Sequence, residues 1–359
     1  MLPWVLTSPR RHRMAGLDSL RFVCALWVVM HHGTRPEVAA WLGLSHVAVV
    51  WNAIAFDGVA AVIVFFVISG LCIHYPYARL EPCYLPAYFA QRYIRIGVPL
   101  VVVRAFMDLS GGLVGEEIAT ASRMVMWSLA CELIYYALYP ALLVGFRKIG
   151  LAPIIAVAFV LSYLLIISHW HDMLYWDYSR KVVWLAALPA WLLGCAIAQI
   201  VASGQLPDLP GPIWGWRVAA VLLSIPPKAL VYPSISPVLI GNPATLGVFA
   251  IFVFFWLMKE IATFESHPPP ALLEWGGRWS YSVYLVHNTV IAAFVHVNWM
   301  INPAARWGLQ LTAILAVSYC FYWAVERPAH VLARSLGRYL AKRRTAATSA
   351  SVPPPVLGA

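Results

Sequence analysis

The sequence predicts an all-α membrane protein, a bundle of about ten transmembrane helices with both termini in the cytoplasm. Three observations carry this. The 359 residues are 62% hydrophobic and only 11% charged, where soluble chains run about 45–50% apolar and about 25% charged. So little charge leaves too little polar surface to cover a soluble body, and the bilayer must solvate the rest. Apolar runs of spanning length recur along the chain, many flanked by the 17 Trp and 17 Tyr, as interfacial aromatic belts require. Lys and Arg alternate between rich and poor loops, which accounts for the net charge of +10 without a nucleic-acid partner.

The first apolar run, Leu17–His32, follows a basic stretch at 1–16. It has the outline of a signal peptide, but Arg21 interrupts it and no small-residue cleavage site follows His31 and His32. It reads as a retained span. A span needs about 20 mostly apolar residues. Further runs lie at Val50–Tyr75, Ile94–Leu109, Met126–Phe146, Leu151–Ser168, Val182–Ala202, Trp214–Val231, Leu239–Met258, Ser280–Val297 and Trp307–Val325. Ile94–Leu109 is the weakest, being short and carrying Arg104. With the N-terminus inside, 17 Lys and Arg fall on the cytoplasmic side and 6 outside, with Arg21 and Arg104 within spans. That bias predicts N-in, C-in and an even number of spans. The loops are short, with no soluble domain and no fixed-period repeat. Residues 329–359 read as a basic, then Pro/Ala/Ser-rich cytoplasmic tail, disordered beyond Arg344. The six cysteines form no CxxC pair or metal-ligand spacing, so they read as small buried hydrophobes and no metal is expected.

Ionisable residues inside a span are costly and usually functional. Arg21 and His32 are eleven residues apart, which is three turns plus about 20°, so they share one helix face about 16 Å apart along the axis. His31 points about 80° away from that face. The bland alternative is a snorkelling Arg21 and an interfacial His32. Arg92 and Arg95 form an i,i+3 pair at the cytoplasmic surface. Two guanidinium forks suit phosphate oxygens, although anchoring to anionic lipid would use the same residues. Glu132 lies near the outer end of its span. Topology puts it at the depth of His32, where a carboxylate would orient an imidazole; pairing with an Arg is the alternative. Ser69 and Gly70 permit close approach of a helix or of a thin ligand. Ser280, Tyr284 and His287 form a polar stripe at i, i+4, i+7, suited to an interhelical hydrogen-bond network or to supporting a site. His169, His171, Asp172 and Asp177 cluster in an outside loop with no defensible site spacing.

Taken in order, these segments resemble the membrane-bound acyltransferase-3 family. The resemblance is carried by Leu17-Asp18-Ser19-Leu20-Arg21 through His32, by Phe65 to Gly70, by Arg92-Tyr93-Ile94-Arg95, by Trp127 to Glu132, by Gly277 through His287, and by Glu326-Arg327-Pro328. It spans Leu17 to Pro328, so residues 17–328 form the acyltransferase transmembrane domain. It implies O-acyl transfer, often acetyl, from cytoplasmic acyl-CoA as co-substrate to a carbohydrate hydroxyl, with many members modifying cell-surface polysaccharides in the bacterial inner membrane. Arg21 and His32 match the family's Arg and His separated by ten residues, and Arg92 and Arg95 its paired arginines. Many members carry an acidic residue two positions before the Phe pair. Ile63 stands there in this chain, with Asp57 upstream.

The resulting expectation has acyl-CoA phosphates near Arg92 and Arg95, and the pantetheine arm entering beside Ser69 and Gly70. The thioester approaches His32, with Arg21 on the same face and Glu132 as orienting carboxylate. His32 is either a general base or a transient acyl carrier. A transporter or flippase of glycans or lipids is the main alternative; it predicts inverted repeats or paired broken helices, and neither is visible. A non-catalytic scaffold or sensor leaves His32, Arg21 and the arginine pair unexplained.

Overall fold

The computed structural model describes residues 14–33, 54–80, 83–114, 116–295 and 302–350, all of them in helices or connecting turns and loops. The helices in chain order are α1 (Leu17–His32), α2 (Gly58–His74), α3 (Leu85–Val114), α4 (Glu116–Ile149), α5 (Leu151–Ser168) and α6 (Val183–Ser203). They continue as α7 (Ile213–Ala229), α8 (Asn242–Ser266), the short α9 (Ala271–Gly277), α10 (Ser280–Val295), α11 (Pro303–Phe321) and α12 (Arg327–Ala350). A π-helical turn, Tyr322–Glu326, joins α11 to α12. Among the described residues, six helical segments are long and apolar enough to cross a membrane: Gly58–Tyr77, Met126–Ile149, Leu151–Ser168, Val183–Ser203, Asn242–Ser266 and Ala304–Arg343. The chain is a multi-pass, all-helical membrane protein. Leu17–His32, Ile94–Leu109, Trp214–Ala229 and Ser280–Val295 are also helical, and the expected span to Val231 ends in a turn after Ala229. They fall short of that criterion because they are brief or carry charge, as Arg21 in α1 and Arg92, Arg95 and Arg104 in α3 do. The expected span start at Val50 and span end at Val297 lie outside the described residues.

At the centre stands α2, whose apolar side chains are nearly all buried. Asp57 starts it, accepting the backbone N–H groups of Val59 at 2.8 Å and Ala60 at 3.3 Å. This N-cap satisfies donors that have no partner within the helix. The upstream acidic residue thus has a helix-starting role. The closest packing is between α2 and α6. A Cβ at Gly70 would overlap the carbonyl oxygen of Trp191, and one at Gly194 would overlap that of Val67. Two small residues let the backbones touch, the device membrane helices use where no hydrophobic drive favours association. The expected ligand passage beside Gly70 is therefore corrected: the α6 backbone occupies that face.

The base of α1 is fixed by α9. Glu274 Oε1 accepts the Gly16 N–H at 3.1 Å, the Ser19 N–H at 3.0 Å and the Ser19 hydroxyl at 2.8 Å. Gly277 lies against the Asp18 carbonyl, with no room for a side chain. On the same side of the bundle α12 runs beside α3. Two interactions anchor the junction: Ser282 donates both N–H and Oγ–H to Glu326 Oε2, and Arg95 Nε donates to His330 Nε2 at 3.1 Å. His330 itself sits 3.5 Å from Glu326 Oε1. The segment Glu326-Arg327-Pro328 is thus the hinge that seats the last helix. A disordered tail beyond Arg344 is corrected over 345–350, since α12 continues to Ala350.

Candidate active site

Two places in the bundle gather functional side chains. One is the end of α1 that carries His31 and His32. A pocket there is lined by Val28, His31, His32, Gly58, Val59, Val62, Trp127, Trp176 and Tyr284. It encloses about 290 Å³, open mouth included. The walls come from α1, α2, α4, α10 and the loop after α5. That loop, which the sequence left without a role, delivers the half-buried Trp176. Its polar residues hold the loop's own shape: Asp177 caps the Leu174 N–H at 2.9 Å, and the Asp172 N–H reaches the His169 carbonyl at 2.8 Å.

The hydrogen-bond pattern assigns the tautomer of His32. His287 is fully buried, and its Nδ1 lies 3.1 Å from the Val283 carbonyl, one helical turn back. A carbonyl only accepts, so His287 carries its proton on Nδ1 and leaves Nε2 as an acceptor. That Nε2 lies 3.4 Å from His32 Nδ1, which also lies 3.1 Å from the Val28 carbonyl. Flanked by two acceptors, His32 Nδ1 holds the proton. The lone pair of His32 is then on Nε2. Tyr284 completes this layer, its hydroxyl 2.6 Å from Ser128 Oγ.

The second place is the far end of α1, about 16 Å away along its axis. Arg21 pairs with Asp18 at 3.1 Å and reaches Cys72 Sγ at 3.1 Å. Arg95 lies within electrostatic range of both Arg21 and Arg92. The buried Nε of Arg92 has no hydrogen-bond partner among the described residues. Three guanidinium groups thus converge with one donor unsatisfied, an arrangement that favours an anion.

Of the expected site residues, His32, Tyr284 and His287 meet at the pocket, and Arg21, Arg92 and Arg95 meet at the other end. Glu132 stands between the two groups, within electrostatic range of Tyr284 and bonded to Tyr136, which is itself within range of Arg92 and Arg95, and its hydrogen bonds go to residues other than the expected His32. Its carboxylate accepts Ser69 Oγ at 2.9 Å and the Tyr136 hydroxyl, while Ser69 accepts Trp191 Nε1 at 3.3 Å. Ser69 is seven residues beyond the pocket residue Val62 on α2, or about 10 Å deeper along the helix. Ser280 is also apart: its hydroxyl donates to the Gly277 carbonyl at 3.0 Å, near the base of α1. Sequence reasoning missed Trp176 and treated His31 as turned aside. Among the described residues no three His, Cys, Asp or Glu side chains converge as metal ligands would.

The family model described as an acyltransferase domain, acyltransferase-3, matches residues 14–323. This chain belongs to the acyltransferase-3 family. The match takes in both functional ends of α1 and every expected site residue. No curated relative and no solved structure matches the chain. This acyltransferase therefore needs an acyl donor, an acceptor and a group able to activate one towards the other. His32, with its lone pair on Nε2 beside a cavity, is a group of that kind.

Proposed function

We propose that this acyltransferase moves an acyl group, in the first place acetyl, from cytoplasmic acyl-CoA to a hydroxyl of a carbohydrate such as a cell-surface polysaccharide or its lipid-linked precursor. The observation that carries the reading is the His287–His32 pair. An imidazole with its proton held on Nδ1 offers Nε2 as a base or nucleophile. In direct transfer, Nε2 takes the hydroxyl proton as the acceptor oxygen attacks the thioester carbon. The C–O bond forms, the C–S bond breaks, and the proton passes to the thiolate of CoA. In two-step transfer, Nε2 attacks the thioester carbon itself, the N–C bond forms as the C–S bond breaks, and CoA leaves as its thiolate; the acyl-imidazolium then passes its acyl group to the acceptor hydroxyl, whose proton goes to the thiolate. In either route positive charge develops on His32, and His287 Nε2 accepts from its Nδ1–H. His287 thus fills the orienting role that the sequence assigned to Glu132.

The phosphates of CoA sit with Arg21, Arg92 and Arg95, and the Arg92 Nε–H supplies an available charge-assisted contact. An extended pantetheine arm covers the span from there to His32. The small pocket favours a short acyl group. Half-buried Trp176 at the pocket is the aromatic side chain available to pack against the C–H face of a sugar, since Trp127 is buried and stacked on Tyr175. The ten-span arrangement, with both termini cytoplasmic and residence in a bacterial inner membrane, belongs to the same proposal. The test is purified protein incubated with radiolabelled acetyl-CoA and candidate glycans. Labelled glycan is expected from the wild-type protein and not from His32→Ala. Hydrolysis without transfer to any carbohydrate overturns the acceptor assignment.

A further inference from the structure

The last helix, α12, divides into two faces. Ala329, Ala333 and Gly337, at i, i+4 and i+8, are buried on the side that runs along α3. A Cβ at Gly337 would overlap the Gln91 side chain of α3. The other face is exposed, and it is both basic and apolar. At about 100° per residue, Arg327, Arg334, Arg338 and Lys342 fall within about 80° of arc, with Val331 among them. Leu332 and Tyr339 form a ridge beside them, and Arg343 lies just beyond, over the Tyr339 ring at 5.5 Å. Val331, Leu332 and Tyr339 are each more than half exposed. α12 contains no Asp or Glu, so no carboxylate of its own offsets these cations. The helix begins just after the apolar part of the preceding segment, where Arg327 stacks over the Trp323 ring at 3.9 Å. Spanning the bilayer would put these cations in hydrocarbon, which is costly. Standing free in water would leave the apolar ridge uncovered. Lying in the headgroup layer satisfies both: the ridge dips to the acyl boundary, and the cations on its two sides reach phosphates.

We propose that the exposed face of α12 is a binding surface for anionic phospholipid, with headgroup phosphates held by Arg327, Arg334, Arg338, Lys342 and Arg343, and Leu332 and Tyr339 set into the acyl boundary. In the ten-span arrangement this lipid belongs to the cytoplasmic leaflet. Each cation close to an anionic surface generally strengthens attachment about fivefold. His330, on the covered side of α12, accepts from Arg95, so the lipid and the arginine end of α1 lie on opposite faces of one helix.

Photocrosslinking on the full-length protein tests this, and it needs no acyl donor. Leu332 or Tyr339 is replaced by photoreactive benzoylphenylalanine, and the protein is reconstituted into vesicles of equimolar phosphatidylglycerol and phosphatidylcholine. Lipid adducts are quantified by mass spectrometry after illumination. Leu164 on α5, which is similarly exposed, serves as the reference position and is expected to label both lipids alike. Positions 332 and 339 are expected to label phosphatidylglycerol over phosphatidylcholine about fivefold or more. Raising the salt to about 1 M, or combining Arg334→Gln, Arg338→Gln and Lys342→Gln, is expected to bring that preference to parity. Equal labelling of the two lipids at low salt without those three substitutions overturns the proposal. So does the absence of adducts at 332 and 339 while 164 labels, which would place α12 in water. A preference that survives both the salt and the triple substitution overturns the role of the cations. A crosslink between two copies of the chain assigns this face to a homodimer and overturns the lipid assignment.

Discussion

At His32 the chemistry depends on which nitrogen is bare, and two backbone carbonyls decide that. Val283 sets His287, and His287 together with Val28 sets His32. Replacing His32 with Ala removes the base or carrier and is expected to lower kcat by at least about 10²–10⁴-fold. Membrane insertion and protein level are expected to stay normal, because the ring is only half-buried at the end of α1. Single-turnover labelling without acceptor separates the two routes: label on His32 indicates an acyl-imidazole, and no label indicates direct transfer. At the other end of α1, Arg92→Ala with Arg95→Ala is expected to weaken acyl-CoA binding about ten- to a hundredfold, as charge-assisted contacts of about 1.5–3 kcal/mol are lost. Isothermal titration checks this, and unchanged affinity points to lipid anchoring instead. Arg21 and His32 were legible in the sequence because helical periodicity alone puts them on one face. Glu132 was misplaced because it lies six residues inside its span, about 9 Å from the start, whereas His32 closes its own. Lys228 was legible only as a loop charge, since nothing in sequence spacing says that α7 returns to the end of α1.

Among the elements, close approach positions the site more than any one hydrogen bond does. His32 and Val62 face each other only if α1 and α2 keep their register, and that register is set at their other ends. For α2 the setting contact is Gly70 against Trp191 and Gly194 against Val67. For α1 it is Glu274 capping Gly16 and Ser19, with Gly277 beneath Asp18. The small residues were visible in the sequence, but which partner they admit was not. A gap at Gly70 serves a helix or a ligand equally well until α6 is seen to fill it. Gly70→Val is expected to destabilise the protein by at least about 1–3 kcal/mol, since overpacking here meets backbone and not a flexible side chain. Thermal melting in detergent measures it; a normal melting temperature with weakened acetyl-CoA binding restores the ligand passage. Glu274→Ala is expected to cost about 1–3 kcal/mol by leaving donors at the start of α1 without their carboxylate, and to lower activity by loosening the base of the helix that carries both histidines.

Across the whole molecule, residues that alternate-loop reasoning assigns to opposite sides of the membrane meet at opposite ends of α1. The expected cytoplasmic set, Arg92, Arg95, Glu274 and His330, gathers around the Asp18–Arg21 end. The expected outer set, Trp127, Trp176 and Lys228, gathers around His31 and His32. In the first set the buried Arg92 Nε is left without a hydrogen-bond partner among the described residues, while Lys228 in the second has Asp57 within electrostatic range. This segregation is what a donor entering from one side and an acceptor from the other require. In the proposed ten-span arrangement the two termini share one side, which the 17-to-6 distribution of Lys and Arg predicts to be the cytoplasm. Reporter fusions after Val297 are therefore expected to face outward and fusions after Arg344 inward. The second is the more demanding, because α11, the π turn and α12 run on as one helical segment through Arg343. Its apolar part, up to Trp323, has to cross, and its basic part, from Arg327 onward, has to stay in the cytoplasm beside α3. An outward-facing reporter after Arg344 would reverse the last crossing, carry the Arg95–His330 contact to the outer surface, and remove the cytoplasmic entrance on which the proposed route for acyl-CoA depends.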